Sequence, residues 1–301
     1  MTYGLTLAAT AKPVVWIVLS AAEGPYATVA GQVRAEVERR RPRGAGVIDW
    51  QVGAWNDMDR SRPPSLVVAV GASAWRDVAQ GFGDAADPPL LLATLLPAQA
   101  FERDRPRGPR LRQISAILLD QPAARQARLV HMLLPQTTRV GVLVSRGESE
   151  SLAEYRETFA RQGLVLNVQP TTAESLPADL IGVLSTNDVL LVLPDGQVYN
   201  AQTIGNVLAA SYRLRVPIIG YSPALVSAGA LAALYVTPEQ IGVAAGAAVA
   251  DALDGRPLPP PRAAATFDVG VNASVARAYG VVTNAREVAA AMTQAERGDA
   301  R

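Results

Sequence analysis

The sequence predicts an α/β protein made of two doubly wound, parallel-sheet lobes in series. Three observations carry that expectation. Asp188 to Asn200 and Arg215 to Pro223 hold two short apolar runs around an amphipathic stretch of helical length, which is a βαβ unit. The same strand–helix alternation starts at Val14 and starts again at Arg139. The length of 301 residues suits two domains of roughly 100–200 residues each.

The elements follow in order. Val14 to Leu19 reads as a buried strand. A helix follows from Pro25, since proline suits a first helical turn, and Tyr26, Val29, Ala30, Val33 and Val37 share one face. Arg39-Arg40-Arg41-Pro42 closes it with cations placed well for the helix dipole. Strands are expected at Val47 to Val52, Leu66 to Val70 and Leu90 to Thr94, with a helix from Gly71-Ala-Ser-Ala-Trp75. The dense run Arg103 to Arg112 reads as a solvated loop. A joint is expected near Ile114 to Asp120.

The pattern then restarts. A helix at Gln121 to Leu134 precedes a strand at Arg139 to Val144 and the polar turn Ser145 to Ser149. A helix carrying Leu152, Tyr155 and Phe159 leads to a strand at Leu164 to Gln169, and a helix near Ala178 to Leu184 leads to the βαβ unit. After Pro223 the order changes. Ala230 to Val236 reads as a strand and Pro238 to Leu253 as a helix stopped by Asp254-Gly255. Pro257 to Pro261 is extended and Thr266 to Val271 is the last strand. Residues 285–301 form a polar, alanine-rich tail, expected to be helical and partly frayed.

Composition removes several function classes. The balance of 28 basic and 27 acidic residues shows no concentrated basic face, so no nucleic-acid partner is expected. No apolar run reaches the roughly 18 residues of a membrane span, so no direct insertion is expected. The absence of cysteine excludes disulfides and thiolate chemistry. His131 is the single histidine and sits beside apolar residues of its helix. No serine has a nucleophile-elbow pattern, no His/carboxylate cluster suits a metal, and neither a dinucleotide fingerprint nor a phosphate loop occurs. No catalytic group, metal or cofactor is therefore expected. Ala9-Thr10-Ala11 is similar to the small-residue end of a secretory signal, although the apolar stretch before it is short and lacks a basic lead. Two readings follow: a chain that begins inside or just after such a signal, which is the expectation, or an ordinary frayed terminus.

Leu133-Leu-Pro-Gln-Thr-Thr-Arg-Val-Gly-Val-Leu-Val144 resembles the start of the second lobe in a family of ABC-transporter substrate-binding proteins. This is the branch with a type I periplasmic-binding fold, which includes binders of aromatic amino acids. Asp188 to Asn200, Val216 to Gly220, Gly229 to Tyr235 and Gly242 to Gly255 match further family segments in order, and the resemblance covers roughly residues 64–282. The family has Asp-Pro where this chain has Leu96-Pro97, Thr-Gly near Ile114 to Ile117, and Asn where this chain has Gly196. The resemblance implies lobes joined by a hinge that the chain crosses three times. Residues 12–118 with 231–256 would form the first lobe, and 119–230 with 257–284 the second. It also implies a small-molecule ligand, a membrane ABC permease as partner, a monomer, and a periplasmic or other extracytoplasmic location.

In open α/β sheets ligands bind outside the carboxyl ends of the strands. Small polar residues stand there at Ser20, at Ser73-Ala74 and at Ser145, with Glu148 and Ser149 in the following turn. Each serine is equally suited to capping a helix. Asp195 follows Leu193-Pro194 and matches the family's Asp; its carboxylate could accept from a ligand ammonium, while Pro-Asp-Gly196 is also a turn signal. Tyr221-Ser222 could supply a ring and a hydroxyl, or pack and cap. The reading that results is a solute-binding component trapping a small polar ligand, such as an amino acid or small carboxylate. Two others stand beside it: a sensing module signalling to a protein partner, without a DNA-binding segment before Pro13, and an α/β enzyme using Asp195 and Glu148. With four tryptophans in the chain, a sugar is the less favoured ligand.

Overall fold

The computed structural model describes residues 12–299 apart from 43–45, 84, 86, 108–112 and 148–151. Ala9-Thr10-Ala11, the end of the Arg103 to Arg112 run, Glu148 and Ser149 thus lie outside the described residues. The chain divides into two compact units. One holds Met1–Leu96, Ala100–Leu118 and Pro238–Arg262; the other holds Pro97–Gln99, Leu119–Thr237 and Ala263–Arg301.

In the first unit, β1 (Val14–Leu19), β2 (Asp49–Gly53), β3 (Leu66–Val70), β4 (Leu90–Thr94) and β5 (Ile114–Leu118) pair in parallel in the order β5-β4-β3-β1-β2. All five residues of β3 are buried, as a parallel strand covered on both faces requires. One face packs Trp16, Val67, Leu91 and Ala116 against α2 (Ala72–Phe82), where Trp75 and Phe101 stack at 5.2 Å. The other meets α1 (Pro25–Arg40), which turns Val29, Val33 and Val37 inward.

β2 begins two residues later than the sequence suggests, because Val47 is 66% exposed and outside the ladder. Two elements were not expected. β5 is a full strand, with Ser115 buried among apolar neighbours. A helix, α3 (Ala98–Asp104), occupies the start of the supposed loop; its first residues, Ala98 and Gln99, belong to the second unit, where the Asp120 carboxylate accepts from Ala98 N at 2.6 Å.

The second unit begins with α4 (Ala123–Leu133), β6 (Arg139–Ser145), α5 (Ala153–Arg161), β7 (Val165–Thr171), α6 (Leu176–Thr186) and β8 (Val189–Leu191). It continues through α7 (Ile204–Leu214), β9 (Ile218–Gly220), α8 (Pro223–Ala228) and β10 (Ala232–Tyr235). Its sheet runs β7-β6-β8-β9-β10 in parallel, with β12 (Asp268–Val271) antiparallel on β10. Alternate residues feed two cores. Val140, Val142 and Leu191 face one side, and Leu143, Leu190 and Ile218 the other. A sheet covered on both faces is the doubly wound arrangement.

The expected boundaries differ from the observed ones at four places, the first being Pro97–Gln99, expected in the first lobe and found in the second unit. The strand near 231–236 was expected in the first lobe. It is β10, bonded on both sides within the second sheet. The return to the first unit comes with α9 (Pro238–Leu253), which packs along α1, and that unit continues to Arg262, the first residue of β11 (Arg262–Ala263), which pairs beside β5. Glycines make the α1–α9 approach possible: a Cβ on Gly246 would lie 2.7 Å from Glu36 Cβ and 2.8 Å from the Val33 carbonyl. The C-terminal segment is also no loose tail. After α10 (Ala273–Ala278), α11 (Ala285–Asp299) buries Val288 and Met292 in the second core. Arg125 fastens it: its guanidinium bonds Glu296 at 2.6 Å, Gln121 and two carbonyls, and lies 4.2 Å from the Phe267 ring. The polar look of 285–301 hid this because the helix buries a narrow stripe.

Candidate functional site

Each unit gathers small and polar residues at the carboxyl ends of its parallel strands. In the first unit, Ser20 follows β1 and Gly71 follows β3. The Ser20 hydroxyl accepts from Ala74 N at 3.0 Å and so caps α2 from a neighbouring strand end. Gly71 has φ +95°, and a Cβ there would meet Ser20 Oγ at 2.5 Å and the Tyr26 ring at 2.6 Å. Only glycine lets the two strand ends come this close. Ser73 is exposed and Ala74 buried. β4 ends in Thr94, whose hydroxyl donates to the Ile117 carbonyl, and in Leu95, a half-buried residue at φ +57°. A bulky side chain held in that left-handed region costs about 1–2 kcal/mol, a form of strain that collects at functional positions.

In the second unit, Ser145 ends β6 and is buried. Its N–H donates to Asp195 Oδ2 at 2.7 Å, and its hydroxyl accepts from Gln99 Nε2 at 3.0 Å. Asp195, 5% exposed, also takes the Gln197 N–H on Oδ1 at 3.0 Å. Its carboxylate therefore ties the end of β6 to the turn after β8, and its backbone carbonyl takes the N–H groups of Val198 and Tyr199. Beside it, burial and then the Asp195 charge raise the pKa of Tyr221, and burial raises that of Tyr199. Tyr221 packs on the core around Leu190 and Ile218; the Ser222 hydroxyl caps α8 by accepting from Leu225 N. Gly196 is exposed.

A pocket of about 210 Å³ opens at the ends of β6 and β7. Ser145, Arg146, Thr171, Thr172, Gln197 and Leu176 line it, with Ala173 and Val198. Thr171 and Thr172 share hydroxyl contacts with Ser175. Asp179 sits below its usual carboxylate pKa, chiefly through hydrogen bonds from Ser175 and Thr171 and less through the Arg146 charge.

The structure thus brings Ser20, Ser73 and Ala74 together in one unit, and Ser145, Asp195, Gly196 and Tyr221 in the other. The sequence reading missed Arg146, Thr171, Thr172, Gln197, Gln99 and Leu95. Thr171-Thr172 could have been found by letting β7 run two residues further, which places them at a strand's carboxyl end; left-handed Leu95 left no trace in the sequence. His131 bonds the Gln162 carbonyl at 2.6 Å, away from these residues. Among the described residues no group of His and carboxylate side chains could hold a metal ion, and no helix is long and apolar enough to cross a membrane.

Comparison with known proteins places this architecture. The ligand-free, open structure of CD0873, a substrate binding protein with adhesive properties from Clostridium difficile, superposes with a TM-score of 0.65 at 18% identity, covering 92% of this chain and 97% of that one. A conserved domain protein from Vibrio cholerae gives 0.59 at 18% identity, covering 93% and 98%. An ABC domain from Streptococcus pneumonia in complex with L-Trp gives 0.58 at 17% identity, covering 90% and 95%. At these identities the likeness is one of fold: the two-lobe α/β architecture of type I periplasmic binding proteins. No curated protein sequence matches the chain. The model of the ABC transporter substrate-binding proteins matches residues 117–294, more than half of the sequence. The chain belongs to the ABC transporter substrate-binding protein family.

Proposed function

We propose that this chain is the solute-binding component of an ABC-type uptake system, working outside the cytoplasm as a monomer. It takes a small polar ligand, an amino acid or related small carboxylate, between its two units and delivers it to a membrane permease. The observation that carries this reading is the pocket at the carboxyl ends of β6 and β7, the place where α/β sheets receive ligands. The matching set in the first unit, Ser20, Ser73 and Ala74, stands at the same end of its own sheet. A ligand that contacts both sets stabilises only the closed form, and that difference is what a transporter can read. Within this proposal Ser145, Gly196, Tyr221 and Ser222 form the ligand-facing rim of the second unit, and Asp195 holds that rim in shape.

A thermal-shift screen tests the proposal. The panel holds aromatic and small amino acids, small carboxylates, nucleosides and sugars, beginning with L-Trp because a structural relative holds it. Ligand at a hundredfold excess over its Kd stabilises the native state by about 2.7 kcal/mol. Silence from the amino acids and carboxylates would sink the ligand assignment, and silence from all four classes would sink the binding role.

A further inference from the structure

The pocket of the second unit contains a charged group with no hydrogen-bonding partner among the described residues. Arg146 follows β6 directly and lines the pocket; among the described residues it makes no hydrogen bond and acts on Asp179 only through its charge. The carboxylates around it are already committed. Asp179 accepts from Gln169 Nε2 at 3.3 Å and is held below its usual carboxylate pKa chiefly by the neighbouring Ser175 and Thr171 hydroxyls. Asp195 is buried behind Ser145 and Gln197 and accepts both of their N–H groups. What the pocket presents is therefore a guanidinium, the hydroxyls of Thr171 and Thr172, and the Gln197 side chain. An ammonium finds no open carboxylate among these residues. An oxyanion finds a planar fork of donors suited to bidentate bonding. The pocket, at about 210 Å³, is also smaller than the roughly 300–1,000 Å³ of whole-ligand sites, so it suits one end of a ligand.

We propose that this pocket takes the anionic end of the ligand, a carboxylate or a phosphate, and that Arg146 selects it. The inference rests on the solute-binding reading above and sharpens it: the second unit recognises an acid group rather than an amine.

The test uses calorimetry on the full chain with paired probes. Succinate is set against succinamide, indole-3-acetate against indole-3-acetamide, and glycerol 3-phosphate against glycerol. Any ligand from the wider screen is added. Each is run on the wild type, Arg146→Gln and Arg146→Lys. Arg146 is exposed, so the ligand-free Tm of the variants should match the wild type. The expected result is that the acid binds more tightly than its neutral partner. Arg146→Gln should weaken the acid by about ten- to a hundredfold, the value of a charged hydrogen-bonding pair, and leave the neutral partner unchanged. Arg146→Lys should recover part of the loss. Preference for glycerol 3-phosphate over both carboxylates would identify phosphate as the group; the reverse would identify carboxylate. Equal binding of acid and neutral partners would overturn the inference. So would an acid or wider-screen ligand whose affinity ignores Arg146→Gln, and binding itself would then still stand. Silence from every probe and the wider screen would overturn both readings.

Discussion

Replacing Asp195 by alanine separates two roles that the sequence left open. The Asp195 carboxylate is 5% exposed and accepts two backbone N–H groups, from Ser145 at 2.7 Å and Gln197 at 3.0 Å. Ser145 is itself buried, so its N–H would be left without a partner at a cost of about 1–3 kcal/mol. Gln197 is exposed, and water would take over there, so that loss is smaller, about 0.5–1 kcal/mol. The expected destabilisation is about 2–4 kcal/mol. Asp195→Asn should lose roughly half as much, since one amide oxygen can still serve Ser145 while its NH₂ faces the Gln197 donor.

Urea unfolding followed by far-UV circular dichroism checks this, with the midpoint falling at an unchanged slope. The four tryptophans all lie in the first unit, so the loss should show in the dichroism before it shows in tryptophan fluorescence. A midpoint unchanged within about 0.5 kcal/mol, together with lost ligand binding, would refute the argument. Asp195 would then be a ligand group and not a strut.

Further expectations follow from single residues. Gly246→Ala places a Cβ 2.7 Å from Glu36 Cβ, and the overpacking cost of about 1–3 kcal/mol should outweigh the roughly 1 kcal/mol that alanine adds to a helix; a lower Tm checks it. Arg215 closes α7 in the left-handed region, at φ 56° and ψ 37°, so Arg215→Gly should stabilise by about 1 kcal/mol, seen as a Tm rise of roughly 2–4 °C. Glu36 is held at a pKa of about 2 against its usual 4.5, first by the Arg39 hydrogen bonds and then, against the opposing pull of burial, by Arg40. A lowered pKa means that its stabilisation is complete above about pH 4.5 and fades as pH falls towards 2. Glu36→Gln should flatten the stability curve across that window in acid titrations followed by circular dichroism.

How far the sequence could be read depended on how many residues carried the signal. Val14 to Leu19 and Leu66 to Val70 are apolar throughout because parallel strands are buried on both faces, and both ran as expected. The helix expected in residues 285–301 is there, but its docking was not legible, because α11 buries only a narrow stripe around Val288 and Met292, while Arg125, its anchor, lies far away in sequence. β10 was misplaced for a related reason. Ala232 to Tyr235 could line either sheet, and only its pairing with Ile219 and Gly220 assigns it. In the site, strand-end serines were legible, but a hydroxyl used for capping and one facing a ligand look alike in one dimension. The pocket came from Thr171 and Arg146, which join through the parallel pairing of Val144 with Pro170 and Ser145 with Thr171.

The return of α9 to α1 has a consequence for biosynthesis. The first unit is divided by the second: its five parallel strands are made by Leu118, but Gly242 and Gly246 reach α1, and β11 joins β5, only after Thr237. At ~5–20 residues per second, the ribosome needs on the order of ten seconds to make what lies between. For that interval the apolar underside of those five strands waits without its second helix and its edge strand, while the second unit emerges and packs. A nascent chain stalled before Pro238 should therefore bind holding chaperones through its oldest residues, and release should coincide with the exit of α9 from the tunnel.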